Sequence, residues 1–131
     1  MFVDASAMIA IVAPEQDGAA LAARVDQAGR TVTSAIAIYD AVLGLARRRQ
    51  MSVAEAEDAI NRFLEQSDTE IVAIDTEIGH GALRAFARFG RGRHPAALNM
   101  GDCFAYACAR ALDLPLLFKG EDFGQTDIAP A

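Results

Sequence analysis

The sequence predicts a three-layer α/β domain, in which helices flank a mostly parallel sheet of four to five strands. Two observations favour this fold class. Short apolar runs alternate with longer segments of helical period, which is the pattern of a parallel sheet covered by helices. The chain has 131 residues and a hydrophobic content of 53%, which suits one domain with a sizeable core and is too little for two ordinary domains. We therefore expect a single domain over residues 1–131.

The first half of the chain predicts two strands and four helices. Pro14 and Gly29 are expected to end the first two helices. Ser34 is a plausible N-cap for the third helix, and Ser52 and Glu55 form the capping-box pattern of the fourth. The elements are, in order, a strand at Met1–Val3, helices at Ala5–Ala13 and Gln16–Ala28, a strand at Thr31–Thr33, and helices over Ala35–Arg49 and from Ser52 onward.

The second half predicts three strands and two helices. The run Glu70–Ile74 is rich in β-branched residues, which favour strands, and Asn99 is a plausible helix N-cap. The elements are, in order, a strand at Glu70–Ile74, a helix at Thr76–Phe89, a basic loop at Gly90–Pro95, a helix after Asn99, a strand at Leu114–Phe118 and a short edge strand near Asp127–Ile128.

The two cysteines and the lengths of the apolar runs indicate in which cellular compartment the protein is expected. Cys103 and Cys108 lie five apart in a predicted helix, where their side chains point in different directions, so we expect free thiols. Their spacing does not match a zinc site. No apolar run approaches the roughly 18 residues that a membrane span needs, and we expect a soluble, cytoplasmic protein.

The charge of the chain is uneven. Twelve basic and 18 acidic residues give a net charge of −6, which taken alone argues against a nucleic acid partner. The stretch Ile78–Gly101, however, contains no acidic residue and several arginines. Arg84 and Arg88 lie four apart and are interpreted as a solvated helix face. Arg91 and Arg93, on a glycine-bearing loop, are better candidates for contact with a phosphate backbone.

Four aspartates are the candidates for chemistry. In an open α/β sheet, ligands bind beyond the carboxyl ends of the strands. Asp4 follows the first strand and Asp122 follows the fourth, while Asp40 and Asp102 lie in the early turns of helices that start at the same edge. Three of the four also have a purely structural explanation, because Asp4 can cap a helix, Asp102 suits the helix dipole and Asp122 can be a turn residue.

Asp40 is harder to explain structurally. It lies within a helix, at or beside the face that Ile36, Tyr39 and Leu43 are expected to bury. A carboxylate near an apolar face is unfavourable unless a cation or hydrogen bonds compensate for it. We therefore expect a functional role for Asp40.

Carboxylates that converge at one edge of a sheet repel one another unless a cation lies between them. An all-carboxylate set of ligands suits Mg²⁺ or Mn²⁺, whereas zinc prefers histidine or cysteine. A metal with open positions can bind a phosphate oxygen and activate a water molecule. The pattern thus predicts metal-dependent hydrolysis of a phosphodiester, with Asp4, Asp40, Asp102 and Asp122 as the catalytic and metal-binding residues.

Four blocks of the sequence occur in an order that is typical of a known family. They are Phe2–Ser6, Thr33–Leu45, Arg93–Phe104 and Leu116–Phe123. Together they resemble the blocks of the VapC-type PIN-domain ribonucleases, the toxins of type II toxin–antitoxin systems. The resemblance implies a PIN-like fold and an Mg²⁺-dependent endoribonuclease, with Mn²⁺ as a substitute. It also implies a homodimer and a small antitoxin protein that occupies the active-site groove.

The resemblance also implies roles for individual side chains. Asp4, Asp102 and Asp122 match metal-binding acids of the family, and Ser6 matches a hydroxyl that supports the first of them. Ser34 and Asn99 are expected to orient ligands or the substrate phosphate, and Arg91 and Arg93 to contact RNA or the antitoxin.

One position departs from the family, which normally has glutamate where this chain has Asp40. Aspartate keeps the charge but shortens the reach by one methylene group, so a metal bound directly by glutamate would be reached only through water. We therefore expect reduced activity.

Two alternatives remain open. The first is a PIN-like module that binds RNA or a partner protein without useful catalysis, an alternative that Asp40 favours. The second is a phosphatase or receiver-type domain that uses Asp4 as an acceptor. Lys119 is available for such a site, but no acidic residue lies next to Asp4 in the sequence.

Overall fold

The computed structural model describes residues 1–131, in which four short strands form one sheet. The strands are β1 (Phe2–Val3), β2 (Val32–Ser34), β3 (Glu70–Val72) and β4 (Leu116–Leu117). All pair in parallel in the order β3-β2-β1-β4, and Phe2 lies opposite both Val32 and Leu116. The prediction of a mostly parallel sheet is confirmed.

The edge strand predicted near Asp127–Ile128 is wrong. A 3-10 helix at Phe123–Gln125 precedes this segment, and of the residues beyond it only Pro130 forms a bridge with Leu116. Leu116 donates to the carbonyl of Ala129 and accepts from the amide of Ala131. Both bonds use the residues on either side of Pro130, so the position where proline lacks an N–H faces away from β4, as it does where proline is tolerated at a sheet edge.

Six helices connect the strands, and most of them begin at a residue whose side chain accepts a backbone N–H. The predicted caps Ser34 and Asn99 and the capping box of Ser52 with Glu55 are confirmed. The helices are α1 (Ala5–Val12), α2 (Gly18–Gln27), α3 (Ala35–Arg49), α4 (Val53–Gln66), α5 (Thr76–Phe89) and α6 (Met100–Ala111).

The order of the strands places the helices in two layers. From β1 to β2 to β3 the chain moves in one direction across the sheet, and from β3 to β4 it returns past β1. Because parallel crossovers are right-handed, the helices of the first two crossovers, α1 to α4, cover one face and α5 and α6 cover the other. Between the layers lies one cluster of 34 buried apolar residues, with Phe2 and Leu116 fully buried in the sheet.

The same strand order defines where a ligand is expected. The chain leaves β1 toward β2 on one side, while β4 lies on the other side. Such a reversal opens a crevice beyond the carboxyl ends of β1 and β4. Asp4 follows β1 and Asp122 follows β4, so both lie at this crevice.

The two cysteines lie in the interior of the protein. Cys103 and Cys108 are free thiols, as predicted, and both are buried in α6. Burial raises the pKa of each thiol to about 11, so neither is a reactive thiolate at neutral pH. None of the helices has the length and apolar character needed to span a bilayer.

Candidate active site

Asp4 is held at the end of β1 by a chain of hydrogen bonds. Its Oδ2 accepts from the backbone amide of Ser6 at 2.9 Å and from the Ser6 hydroxyl at 2.5 Å. The hydroxyl oxygen of Ser6 in turn accepts from the backbone amide of Lys119, just after β4, at 3.0 Å. Ser6 therefore joins the ends of the adjacent strands β1 and β4 and fixes the first aspartate.

Burial dominates the electrostatics of Asp4. Its side chain is 4% exposed, and burial raises the pKa of the carboxyl although the hydrogen bonds from Ser6 favour the charged form. The charge of Asp40 raises the pKa further. The structural explanation from the sequence also holds, because Asp4 is the N-cap of α1. Both hydrogen bonds from Ser6 use Oδ2, which leaves Oδ1 available to a ligand.

Asp102 is held at the start of α6 by a reciprocal capping box with Asn99. The Asp102 carboxylate accepts from the Asn99 amide at 3.0 Å, and the Asn99 side-chain oxygen accepts from the Asp102 amide at 2.9 Å. Asn99 thus orients Asp102, which supports the role predicted for it from the resemblance.

The charges of three other acids act on the pKa of Asp102. Burial raises this pKa to about 6, against the effect of the hydrogen bond from Asn99, and the charges of Asp4, Asp122 and Asp40 raise it further. Folding therefore brings together four aspartates that are spread over more than a hundred residues of sequence. We call Asp4, Asp40, Asp102 and Asp122 the acidic cluster.

Asp40 reaches the acidic cluster from α3. It is half-buried, burial raises its pKa, and the charge of Arg47 opposes that rise. The helix face assigned to burial from the sequence is wrong, because Tyr39 is 63% exposed. The buried face of α3 contains smaller residues, Ala37, Ala41, Val42, Gly44 and Leu45.

Asp122 belongs to the exposed side of the acidic cluster. It precedes the 3-10 helix but makes no capping hydrogen bond with its side chain. Its carboxylate is therefore not needed for the local turn, which weakens the structural explanation weighed for it from the sequence.

Ser34 has a different environment from the other predicted site residues. It is 1% exposed, and its hydroxyl oxygen accepts from the Ala37 amide as the cap of α3. The structure thus places Ser34 beneath the helix that carries Asp40, and a direct contact with a substrate phosphate stays a prediction.

The predicted basic contacts lie on the loop between α5 and α6. Arg91 and Arg93 are exposed and form no ion pair within the chain. The guanidinium of Arg93 lies 5.5 Å from the ring centre of Phe86. The Leu98 amide donates to the Phe89 carbonyl and the Leu98 carbonyl accepts from the Arg91 amide, and these two bonds close the loop before α6.

Lys119 does not have the role that a receiver-type site requires. Its ammonium group pairs with Glu15, which also binds Arg48, and lies 3.8 Å from Asp17. The lysine is therefore engaged with the turn between α1 and α2, and this weakens the phosphatase or receiver-type alternative.

Gly101 was not recognised as part of the site from the sequence. A β-carbon at this position would overlap Oδ2 of Asp40, so the absence of a side chain makes room for the carboxylate of Asp40. The available signal was a glycine in the first turn of a helix, where glycine is a poor helix former.

The chemistry of the acidic cluster suits a divalent cation. The charges that act on Asp4 and Asp102 are all negative, and a cation with oxygen ligands removes such repulsion. No three histidine, cysteine, aspartate or glutamate side chains lie close enough together to ligate one ion as they stand. Mg²⁺ fits this spacing, because it usually binds one or two carboxylates and completes its shell with water and substrate phosphate.

Comparisons with known proteins find one family over nearly the whole chain. The PIN domain family model matches residues 1–129. The chain is 38% identical to a VapC ribonuclease of Rhizobium meliloti, covering 97% of this chain and 98% of that protein. It is also 38% identical to a ribonuclease VapC of Mycolicibacterium smegmatis, covering 98% of both, and 35% identical to ribonuclease VapC42 of Mycobacterium tuberculosis, covering 100% and 98%.

A solved structure supports the fold independently. The crystal structure of Mycobacterium tuberculosis VapC20, a toxin described as cleaving the sarcin–ricin loop, superposes with a TM-score of 0.79. The match covers 99% of this chain and 97% of that chain at 14% sequence identity, so the likeness concerns the arrangement of helices and strands.

Proposed function

Because the chain belongs to the PIN-domain family, we propose that it is an endoribonuclease of the VapC toxin type that hydrolyses RNA at the acidic cluster. VapC ribonucleases match it over its whole length. The observation that carries the proposal is the environment of Asp102, whose pKa is raised by burial and by the three other acids of the cluster. Such a site favours a divalent cation and a phosphodiester.

Asp4 and Asp102 are the residues proposed to hold the metal directly, and Mg²⁺ is the proposed ion, with Mn²⁺ as a substitute. Each has one carboxylate oxygen fixed by hydrogen bonds to Ser6 or Asn99, which leaves the other oxygen for a ligand. When bound, the ion supplies a positive charge for a phosphate oxygen and lowers the pKa of an attacking water molecule.

The remaining residues position the two metal-binding carboxylates and add negative charge to the site. Ser6 and Asn99 hold the two principal carboxylates in place, so that little rearrangement is needed on binding. Asp40 and Asp122 are proposed to complete the site through water molecules, since Mg²⁺ retains several of its own. The shorter side chain of Asp40 is expected to lower activity.

As a VapC-type toxin, the protein acts on RNA and pairs with an antitoxin. Arg91 and Arg93 are proposed to contact RNA or that antitoxin, because they are exposed, unpaired and directly precede the helix of Asp102. We also propose a homodimer, which sedimentation of the isolated protein tests. A single monomeric species at high concentration would contradict it.

The central test is cleavage of RNA with and without Mg²⁺ or Mn²⁺. We expect cleavage only with added metal, and its loss in Asp4→Ala and Asp102→Ala, because each removes a carboxylate of the acidic cluster. Asp26→Ala, an exposed aspartate of α2, is the matched control and should cut normally. RNA binding without metal-dependent cleavage would favour the alternative, a PIN-like binding module.

A further inference from the structure

A groove between α5 and α6 carries a second concentration of positive charge. Its volume is about 430 Å³, and it is lined on α5 by Gly81, Arg84 and Arg88 and on α6 by Tyr106 and Arg110. Glu77 is the one acidic side chain among the lining residues. We call this the α5–α6 groove. It lies on the flank of α5 opposite to the apolar flank formed by Leu83 and Phe86.

The carboxylate of Asp127 holds two of the three arginines in place. Asp127 accepts from Arg88 at 3.4 Å and lies 3.8 Å from Arg110, while its other oxygen accepts from the Tyr106 hydroxyl at 2.5 Å. A guanidinium has five N–H donors in a rigid fork, so one carboxylate leaves most of them free. Asp127 therefore orients Arg88 and Arg110 without saturating them.

Arg84 has no acidic partner. It is exposed and forms no ion pair within the chain, although it shares the groove with two other arginines. The sequence alone favours a solvated helix face for Arg84 and Arg88. In the structure, Arg110 of α6 joins these two arginines, and a concave surface lies between the two helices. A solvated face of a single helix would show neither feature.

The groove is linked to the acidic cluster through α6. Asp102, Tyr106 and Arg110 follow one another at intervals of four residues, so they lie on roughly the same side of this helix. At about 1.5 Å of rise per residue, Arg110 lies about 12 Å along the axis from Asp102. The acidic cluster and the groove thus lie about two turns apart on α6, and because Tyr106 between them is buried, a nucleic acid strand would cross the outer surface of the protein to reach the groove.

We propose that the α5–α6 groove is a second RNA subsite, which binds backbone phosphates that flank the phosphate cut at the acidic cluster. Paired guanidiniums recognise phosphate oxygens through bidentate hydrogen bonds. The inference rests on the proposed function, because a nuclease site at the other end of α6 makes RNA, and not an acidic peptide, the expected ligand of these arginines. Arg84 is the residue most available for the contact.

The test measures binding of two single-stranded RNAs with hydrolysis-resistant phosphorothioate linkages in the presence of Mg²⁺, because the acidic cluster needs a cation to accept a phosphate. One probe has about 16 nucleotides and reaches both sites, and the other has about 4 and occupies the acidic cluster only. For Arg84→Glu we expect about tenfold weaker binding of the long RNA, and a salt slope reduced by about 0.7 or more. Binding of the short RNA should not change, and Arg84→Lys, which keeps the charge but loses the bidentate hydrogen bonds, should restore the salt slope and only part of the long-RNA affinity.

Arg62→Glu is the matched control, because Arg62 is an exposed arginine without an ion pair on α4, which is not part of the groove. It should leave both affinities unchanged. Equal effects of Arg84→Glu and Arg62→Glu, or equal weakening of both RNAs, would overturn the subsite. So would displacement of the long RNA by a glutamate-rich peptide, which would indicate an acidic protein ligand.

Cleavage by the unaltered protein separates this inference from the proposed function. If metal-dependent cleavage occurs and Arg84→Glu binds long RNA normally, the subsite is wrong and the nuclease stands. If Arg84 is needed for binding but no RNA is cut in Mg²⁺ or Mn²⁺, the groove is an RNA-binding site and the nuclease is wrong.

Discussion

The carboxylate of Asp40 in α3 occupies the space beside Gly101 in α6 in which a side chain would otherwise lie, since a β-carbon on Gly101 would overlap Oδ2 of Asp40. This contact joins α3, in the second of the four sequence blocks, to the start of α6, in the third. Gly101 is the residue immediately before Asp102. The position of Asp40 in the acidic cluster therefore depends on the absence of a side chain at residue 101.

Gly101→Ala should lower cleavage without destabilising the protein. The added methyl group displaces the Asp40 carboxylate, whereas alanine is favoured over glycine within a helix by up to about 1 kcal/mol. Parallel measurement of cleavage rate and thermal unfolding checks this. Gly79→Ala, in α5, is the control, because its β-carbon meets no atom within 4 Å; it should leave cleavage intact. Unchanged cleavage in Gly101→Ala would remove Asp40 from the site.

Asp40→Glu should raise the rate of metal-dependent cleavage. The extra methylene group restores the longer acid that the family resemblance implies at this position and brings the carboxylate closer to a bound ion. The cleavage rate at several Mg²⁺ concentrations should show a higher maximum or a lower metal requirement. Equal rates for the two proteins would show that the shorter side chain does not limit activity.

Ser6→Ala should reduce both cleavage and stability. The hydroxyl of Ser6 links Asp4 to the Lys119 amide, and removal of such a buried link costs about 1 to 3 kcal/mol. Denaturant unfolding and cleavage rates measure the two effects. Ser52→Ala, which removes the exposed cap of α4, is expected to cost about 1 kcal/mol and to cut RNA normally. A Ser6→Ala variant with full activity would mean that Asp4 needs no such support.

Asp102→Asn should stabilise the metal-free protein at neutral pH while abolishing cleavage. Folding raises the pKa of Asp102 from 3.8 to about 6, so the folded state binds the proton more tightly than the unfolded chain. Stability due to this group is present at low pH and falls as the pH rises between these values. Asparagine removes that loss, which we place at about 1 to 2 kcal/mol after solvent screening.

Unfolding as a function of pH tests the Asp102 prediction. The unaltered protein should lose stability between about pH 4 and pH 6 relative to Asp102→Asn. Added Mg²⁺ at neutral pH should stabilise the unaltered protein and leave the variant unchanged, since an ion that binds only the folded state raises its stability. If the free energy of unfolding depended on pH in the same way for both proteins, folding would not raise the pKa of Asp102.

Charge reversal at Arg91 or Arg93 should weaken RNA binding in a salt-sensitive manner. Each contact with a phosphate contributes to the dependence of affinity on salt, so its loss lowers the slope by about 0.7. Arg91 is the cleaner position, because Arg93 also lies over Phe86 and its replacement removes a packing contact. An unchanged slope in Arg91→Glu would remove this loop from the RNA site.

Much of the local structure follows from the sequence because it depends on neighbouring residues. The start of α3 after Ser34, the capping box of Ser52 with Glu55 and the parallel pairing of the strands are all predicted correctly from sequence patterns. The predictions of a fifth strand and of the buried face of α3 are wrong. Both depend on which distant surface a segment meets, and periodicity does not identify that surface.

The sequence by itself determined the α/β class, the acids that end strands or begin helices, and the resemblance to VapC-type ribonucleases. Only the tertiary structure decided that these acids act on one another, that Gly101 makes room for Asp40, and that Arg110 joins Arg84 and Arg88 in one groove. The reason is physical. Strand and helix preferences are set by local conformation and periodicity, whereas burial and Coulomb interactions depend on distances between residues that are far apart in the chain.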